Sequence, residues 1–201
     1  GTGINEGDAP FDLTTPEERA RLALFAASRT TSYLLLSRFK FQSGRLDLST
    51  EQEIIRVPQD RGICCHVGGQ IDFDYAGNLY LSTGDDTNPF FSAGYTPIDD
   101  RTTRNPAFDA RRTAGNTNDL RGKMLRIRVR ENGTYAIPNG NLFGRNQAQT
   151  RPEIYAMGLR NPFRFAVNRL NGDIYVGDYS PDANRADPLR GPAGQGRWML
   201  I

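Results

Sequence analysis

The chain has 201 residues, 37% of them hydrophobic and 24% charged, and its 25 Lys and Arg against 23 Asp and Glu leave a formal charge of only +2. Such a balance describes a globular chain with apolar material for a core. It excludes extensive disorder and lacks the clustered basic stripe that nucleic acid requires. No apolar run approaches the roughly 18 residues of a membrane helix; the longest candidates, Leu22 to Ala27 and Leu34 to Leu36, are short. Only Lys40 and Lys123 are lysines, so the positive charge is carried by Arg. Arg suits two-sided grip on a carboxylate or phosphate, but it equally suits surface ion pairs.

The chain starts at Gly1, without an initiating Met or a signal-peptide pattern, and stops at Met199-Leu200-Ile201 inside what reads as a strand, so processing or fragmentation is expected. Thr15-Pro16-Glu17-Glu18 has the form of a capping box with Pro at the first helical position, which predicts a short helix from Pro16 to about Ala27. Residues 1–32 are therefore read as an N-terminal segment and residues 33–201 as the main domain. From Tyr33 onward short strands are expected at Tyr33 to Phe41, Glu53 to Val57, Gln70 to Phe73, Leu79 to Thr83, Met124 to Val129, Glu153 to Met157, Phe165 to Val167 and Ile174 to Gly177. Gly, Asn and Asp punctuate them, as an all-β fold requires.

An internal repeat points to the architecture. Phe73-Asp74-Tyr75-Ala76-Gly77-Asn78-Leu79-Tyr80-Leu81 is echoed by Val167-Asn168-Arg169-Leu170-Asn171-Gly172-Asp173-Ile174-Tyr175-Val176, each reading as two strands joined by a Gly-containing turn. Recurring hairpins with variable loops suit a β-propeller, whose blades are four-stranded sheets of about 40 to 45 residues. At that size the chain supplies at most about four or five blades, and a closed ring of six needs partners or further sequence. Asn88 to Asn118 lacks periodicity and reads as a long insertion, a type of loop that is commonly functional. Asn132-Gly133-Thr134 is formally a glycosylation sequon, but Asn-Gly between Val129 and Tyr135 is first of all a hairpin turn.

The candidate chemistry centres on the single histidine. His66 opens the run His66-Val67-Gly68-Gly69, and one hairpin later comes Ser82-Thr83-Gly84-Asp85-Asp86. An imidazole oriented by a carboxylate is the usual construction of a general base near neutral pH. Taken alone, His66 could equally be a satisfied loop histidine, Asp85 turn chemistry and Arg160 a salt-bridge residue. Cys64 and Cys65, next to the histidine, either close a vicinal disulfide or stay reduced. A zinc site built on them is disfavoured because four ligands at workable spacing are missing.

Several motifs in fixed order carry a family resemblance from about Leu34 to the end. They are Cys64-Cys65-His66-Val67-Gly68-Gly69, Gly77-Asn78-Leu79-Tyr80, Ser82 to Phe90, Leu120-Arg121-Gly122-Lys123, Gly158-Leu159-Arg160-Asn161-Pro162 and Gly177-Asp178-Tyr179-Ser180-Pro181-Asp182-Ala183. Together they resemble the glucose/sorbosone dehydrogenase family of soluble quinoprotein sugar dehydrogenases. The resemblance implies a six-bladed β-propeller, of which this chain covers part. It also implies pyrroloquinoline quinone (PQQ) and calcium as cofactors, a sugar or polyol substrate, an external electron acceptor and an extracellular or periplasmic location. It casts His66 as the catalytic base, Asp85 as the acid that orients it, Arg160 and Asn161 as quinone contacts, and Ser180 and Pro181 as main-chain calcium ligands.

There are departures from the family pattern. Phe163 stands where glucose-oxidising relatives tend to be polar, so glucose itself is not implied, and Ser180 replaces a frequent Gly. Arg197-Trp198-Met199 lacks the acidic residue and Asn that relatives often place there, so no additional calcium site is expected. The family's remaining cations for the quinone lie beyond Ile201, and the 201-residue chain alone is expected to hold the cofactor poorly. Two other functions fit a propeller: a non-catalytic carbohydrate- or protein-binding module, and a calcium-dependent lactonase-type hydrolase, which needs several inward Asp, Glu or Asn residues.

Overall fold

The computed structural model describes residues 31–60, 66–90, 92–179 and 181–201. The helix expected from Pro16, the cysteine pair and Ser180 lie outside them. Among the described residues there are ten strands: β1 (Thr31–Gln42), β2 (Arg45–Asp60), β3 (Gly68–Phe73), β4 (Leu79–Thr83), β5 (Lys123–Val129), β6 (Tyr135–Ala136), β7 (Ile154–Met157), β8 (Arg164–Val167), β9 (Ile174–Asp178) and β10 (Arg197–Leu200). The expected all-β class is thus observed.

The strands form three sheets. β1 and β2 make a long antiparallel hairpin. β3, β4, β5 and β7 pair antiparallel in chain order, with β6 extending the far edge of β5. β8, β9 and β10 form the third sheet, also antiparallel and in chain order. Four antiparallel strands taken consecutively are the form of a propeller blade. The two halves of the sequence repeat are the β3–β4 and β8–β9 hairpins, in which Phe73 faces Leu79 and Val167 faces Ile174. The Asn132-Gly133 turn joins β5 to β6, with Gly133 at φ +84° and the Asn132 side chain accepting from the Thr134 amide.

Alternation along the strands explains the stacking. Leu79, Leu81, Leu125, Ile127 and Ile154 form a core with Ile54, Ile55 and Val57 of β2. Tyr80 and Met124, at the intervening positions, pack instead with Phe165, Val167, Ile174 and Val176 of the third sheet. The middle sheet is therefore apolar on both faces, and all five residues of β4 are buried. This is why Leu79, Tyr80 and Leu81 are apolar in succession rather than in half-buried alternation.

Side chains also lock the sheets together. Asp72 accepts the Val167 amide at 2.9 Å, and Gln70 bonds both the amide and the carbonyl of Phe165. Three sheets are fewer than the upper bound set by blade length. Residues 84–90, 92–122 and 137–153 contribute loops, turns and two short 3-10 turns, Pro106–Phe108 and Ala110–Arg112. The first loop is not a surface excursion, because Ser92, Thr96, Asp99, Phe108 and Thr113 are all buried. Because Leu125 is 1% exposed at the centre of the first core, Leu125→Ala should cost about 2–5 kcal/mol, read from the urea unfolding midpoint.

Candidate functional site

The start of β3 and the end of β4 bring His66 and Asp85 together. His66 Nδ1 lies 2.7 Å from Asp85 Oδ1 and 3.2 Å from Thr87 Oγ1, and both His66 and Asp85 are buried. Asp85 Oδ1 further accepts the Thr87 amide at 3.0 Å and the Thr87 hydroxyl at 2.8 Å. A carboxylate can only accept, so the shared proton sits on Nδ1 and the lone pair of the neutral ring is left on Nε2.

Backbone conformation makes this meeting possible. His66 has φ +53° and Asp86 φ +57°, left-handed values that side-chain-bearing residues adopt only under local constraint. The constraint is an extension of the strand ladder: Gly84 donates to Val67 O at 3.0 Å and Asp86 donates to His66 O at 3.3 Å. A Cβ at position 84 would fall 1.8 Å from the His66 carbonyl oxygen, so only Gly fits there.

Behind the pair, buried charges hold the loops. Asp86 accepts Arg121 at 2.8 Å and the Asp60 amide at 2.8 Å, while Arg112 bonds Asp60 at 3.0 Å and the Asp86 carbonyl at 2.6 Å. Burial pushes the Asp86 carboxyl above the ordinary carboxylate range, with Arg121 opposing. Lys123 is fully buried, and its Nζ donates to the carbonyls of Thr113 at 2.7 Å, Ala114 at 3.0 Å and Arg121 at 2.7 Å. Burial pushes this ammonium down to about 8.

Arg160 and Asn161 stand beside Asp85. The Asp85 amide donates to Arg160 O at 2.8 Å, and the Asp178 carboxylate accepts the Arg160 and Asn161 amides at 3.0 and 2.7 Å. Burial pushes the Asp178 carboxyl up and the Arg160 guanidinium down. The guanidinium reaches Thr96 Oγ1 at 3.2 Å and approaches Tyr179 O and Asp182 only at 3.5 Å, leaving much of its donor capacity unspent. Asn161 Oδ1 is buried and accepts no hydrogen bond.

A cavity of about 380 Å³ opens at this point, and its wall includes Asp85, Arg160, Asp178, Tyr179, Pro181 and Arg197. Arg111 and Gln195 also line it. His66 is not in the wall: at 4% exposure the imidazole sits behind the Asp85 surface. Four of the six residues singled out from the sequence, Asp85, Arg160, Asn161 and His66, are thus linked by direct bonds through Asp85 and Asp178, and Pro181 shares their cavity.

The sequence reading passed over Thr87, Thr113, Asp178 and Arg197 as functional positions. Asp178 stood inside a quoted motif, so its place beside Arg160 had a signal. Arg197 had one only through the strand pattern: it faces Asp178 across the β9–β10 ladder, which puts the two side chains on one face.

The sequence model of glucose/sorbosone dehydrogenase matches residues 21–187, more than four-fifths of the chain. The chain belongs to the glucose/sorbosone dehydrogenase family. Among curated proteins it is 33% identical over 121 residues to the HIPL2 protein of Arabidopsis thaliana, covering 54% of this chain and 15% of that protein. A solved glucose dehydrogenase is 25% identical over 84% of this chain and 45% of its own, with a TM-score of 0.46. The soluble aldose sugar dehydrogenase of Escherichia coli, in its apo form, is 19% identical over 83% of this chain and 44% of its own, with the same TM-score of 0.46. The chain therefore spans less than half the length of these solved relatives and a smaller share of the plant protein.

Gly84→Ala should cost about 3 kcal/mol or more, because the His66 backbone must move to admit the methyl group. Loss of the cooperative urea transition would meet this expectation, and an unchanged midpoint would contradict the close approach. A pH effect follows from Lys123, whose value is about 8 in the fold against 10.5 for an ordinary lysine. The unfolded chain binds this proton more tightly, so stability rises as pH increases through that interval and the contribution is lost as pH falls through about 8. Urea midpoints at pH 7.5 and 9.5 should show the rise.

Proposed function

We propose that this chain carries the base and part of the cofactor cradle of a PQQ- and calcium-dependent dehydrogenase that oxidises a sugar or other polyol outside the cytoplasm. One observation carries the reading: a buried imidazole fixed through Nδ1 by Asp85 at 2.7 Å, with the Asp85 amide bonded to the carbonyl of Arg160 at the edge of a cavity. Nε2 of His66 takes the proton of the substrate hydroxyl, and Asp85 stabilises the imidazolium that results. The imidazole is buried and outside the cavity wall, so this role requires the wall at Asp85 to admit the substrate hydroxyl to Nε2.

The residues present fit both cofactors. Arg160 and Arg197 bring positive charge to the cavity wall, suited to a planar polyanion. Asn161 Oδ1 is a buried acceptor with no donor, and Pro181 stands in the cavity wall with its carbonyl oxygen packed against the backbone at Gly194, where a Cβ would lie 2.0 Å away. Oxygen donors of this kind suit calcium. When bound, the quinone would supply the hydride acceptor and calcium a Lewis acid. Arg160 supports negative charge developing next to it.

Trp198, Leu200 and Tyr175 form an exposed apolar row on the outer face of the third sheet. The remaining propeller blades, from the same protein or another chain, are the partner that fits that row. Among the described residues no three His, Cys, Asp or Glu side chains gather as a metal-binding group, so a calcium ion here would depend on amide and main-chain oxygens.

In the full-length protein supplied with quinone and calcium, His66→Ala should lower dye-linked sugar oxidation about 100- to 10,000-fold with the fold retained. Arg160→Ala should weaken quinone binding in an absorbance titration. Near-wild-type turnover in His66→Ala would remove the histidine from the chemistry, and failure to oxidise any sugar would favour a carbohydrate- or protein-binding role.

A further inference from the structure

Lys123 is a buried cation whose three donors go to main-chain carbonyls rather than to a carboxylate. Three carbonyl dipoles aimed at one point repel one another unless a cation, or a set of donors, sits among them. The loop that supplies them is pressed close. Gly122 has φ +67°, and a Cβ there would lie 2.4 Å from the Ala114 Cβ and 2.7 Å from Leu159 O.

The same loop grips the candidate acid. The Thr113 hydroxyl donates to the Asp85 carbonyl at 2.6 Å, while the Asp85 amide donates to Arg160 O at 2.8 Å. Nearby, Gly122 donates to Gly84 O at 2.8 Å, and Thr83 Oγ1 donates to Leu120 O at 2.6 Å and accepts the Lys123 amide at 3.1 Å. The backbone of Asp85 is thus fixed from two sides, and its carboxylate is delivered to His66 by that fixation.

We propose that Lys123 is a positioning residue for the His66–Asp85 pair: its ammonium draws the loop at 113–121 shut, and the Thr113 hydroxyl then sets the backbone of Asp85. The importance of the pair rests on the catalytic reading above, but the geometric claim can be tested without turnover. Lys123 touches neither imidazole nor cavity. It acts through Thr113, one hydrogen bond from Asp85 and two from the imidazole.

His66 is the only histidine, so its ring signals are identified without assignment experiments. In the 201-residue chain, NMR should show a downfield Nδ1 proton and the 15N pattern of a ring protonated on Nδ1. Lys123→Met, close in volume but without donors, should lose the downfield proton and shift the 15N pattern toward a mixture of tautomers, with backbone amide dispersion retained. Lys123→Gln, which returns two donors, should recover part of the signal. Unchanged His66 signals in folded Lys123→Met would overturn the proposal, as would unfolding of both variants, which would make the lysine a general folding residue. A protein that shows these signals yet oxidises no sugar would refute the catalytic reading and leave the positioning role standing.

Discussion

At Gly84 the chain passes the carbonyl of His66 so closely that a single methyl group cannot be placed between them. From that approach follow the left-handed turn at His66, the ladder bonds to Val67 and His66 and the 2.7 Å contact between imidazole and carboxylate. The strain of two left-handed side-chain-bearing residues is borne by the sheet beneath, whose β4 strand is buried along its whole length. A rigid, doubly covered sheet is what allows a strained edge to stay in one conformation.

Around this edge, the polar interior of the loops replaces an apolar core. Asp99, Asp109 and Asp119 each accept from the backbone amide of a residue two to six positions on, and each also pairs with a neighbouring Arg. These local side-chain to backbone bonds satisfy amide groups that no strand pairing reaches. They explain how a segment without periodicity can be buried and ordered, and why the cavity wall is built from loops held by a scaffold.

Much of the fold was legible because hydrophobic alternation and Gly turns report directly on hairpins. Leu79–Thr83 was read with its boundaries, and β3, β5, β7, β8 and β9 were placed to within two residues. β2 was read too short, since its outer half at Arg45 to Gln52 buries no side chain, even at Leu46 and Leu48, and depends on pairing with β1 rather than on core burial. β6 escaped notice because two residues carry no periodicity. The placing of His66, Asp85, Arg160 and Asn161 was legible only as motif order, whereas their assembly depends on long-range bonds such as Asp85 to Arg160 that no local pattern encodes. Lys123 was visible as a letter in a motif, but the convergence of three carbonyls on it was not.

The third sheet has a further consequence. Among the described residues β10 stands at the edge of its sheet, and its outward side chains Trp198 and Leu200 are 86% and 62% exposed, in line with Tyr175 on the neighbouring strand. An unpaired strand edge beside an aromatic row is the surface through which polypeptides stick to one another. With a formal charge of only +2, little electrostatic repulsion keeps copies apart. Arg197 of the same strand lines the cavity, so whatever covers the outer row acts on the strand that also carries part of the site.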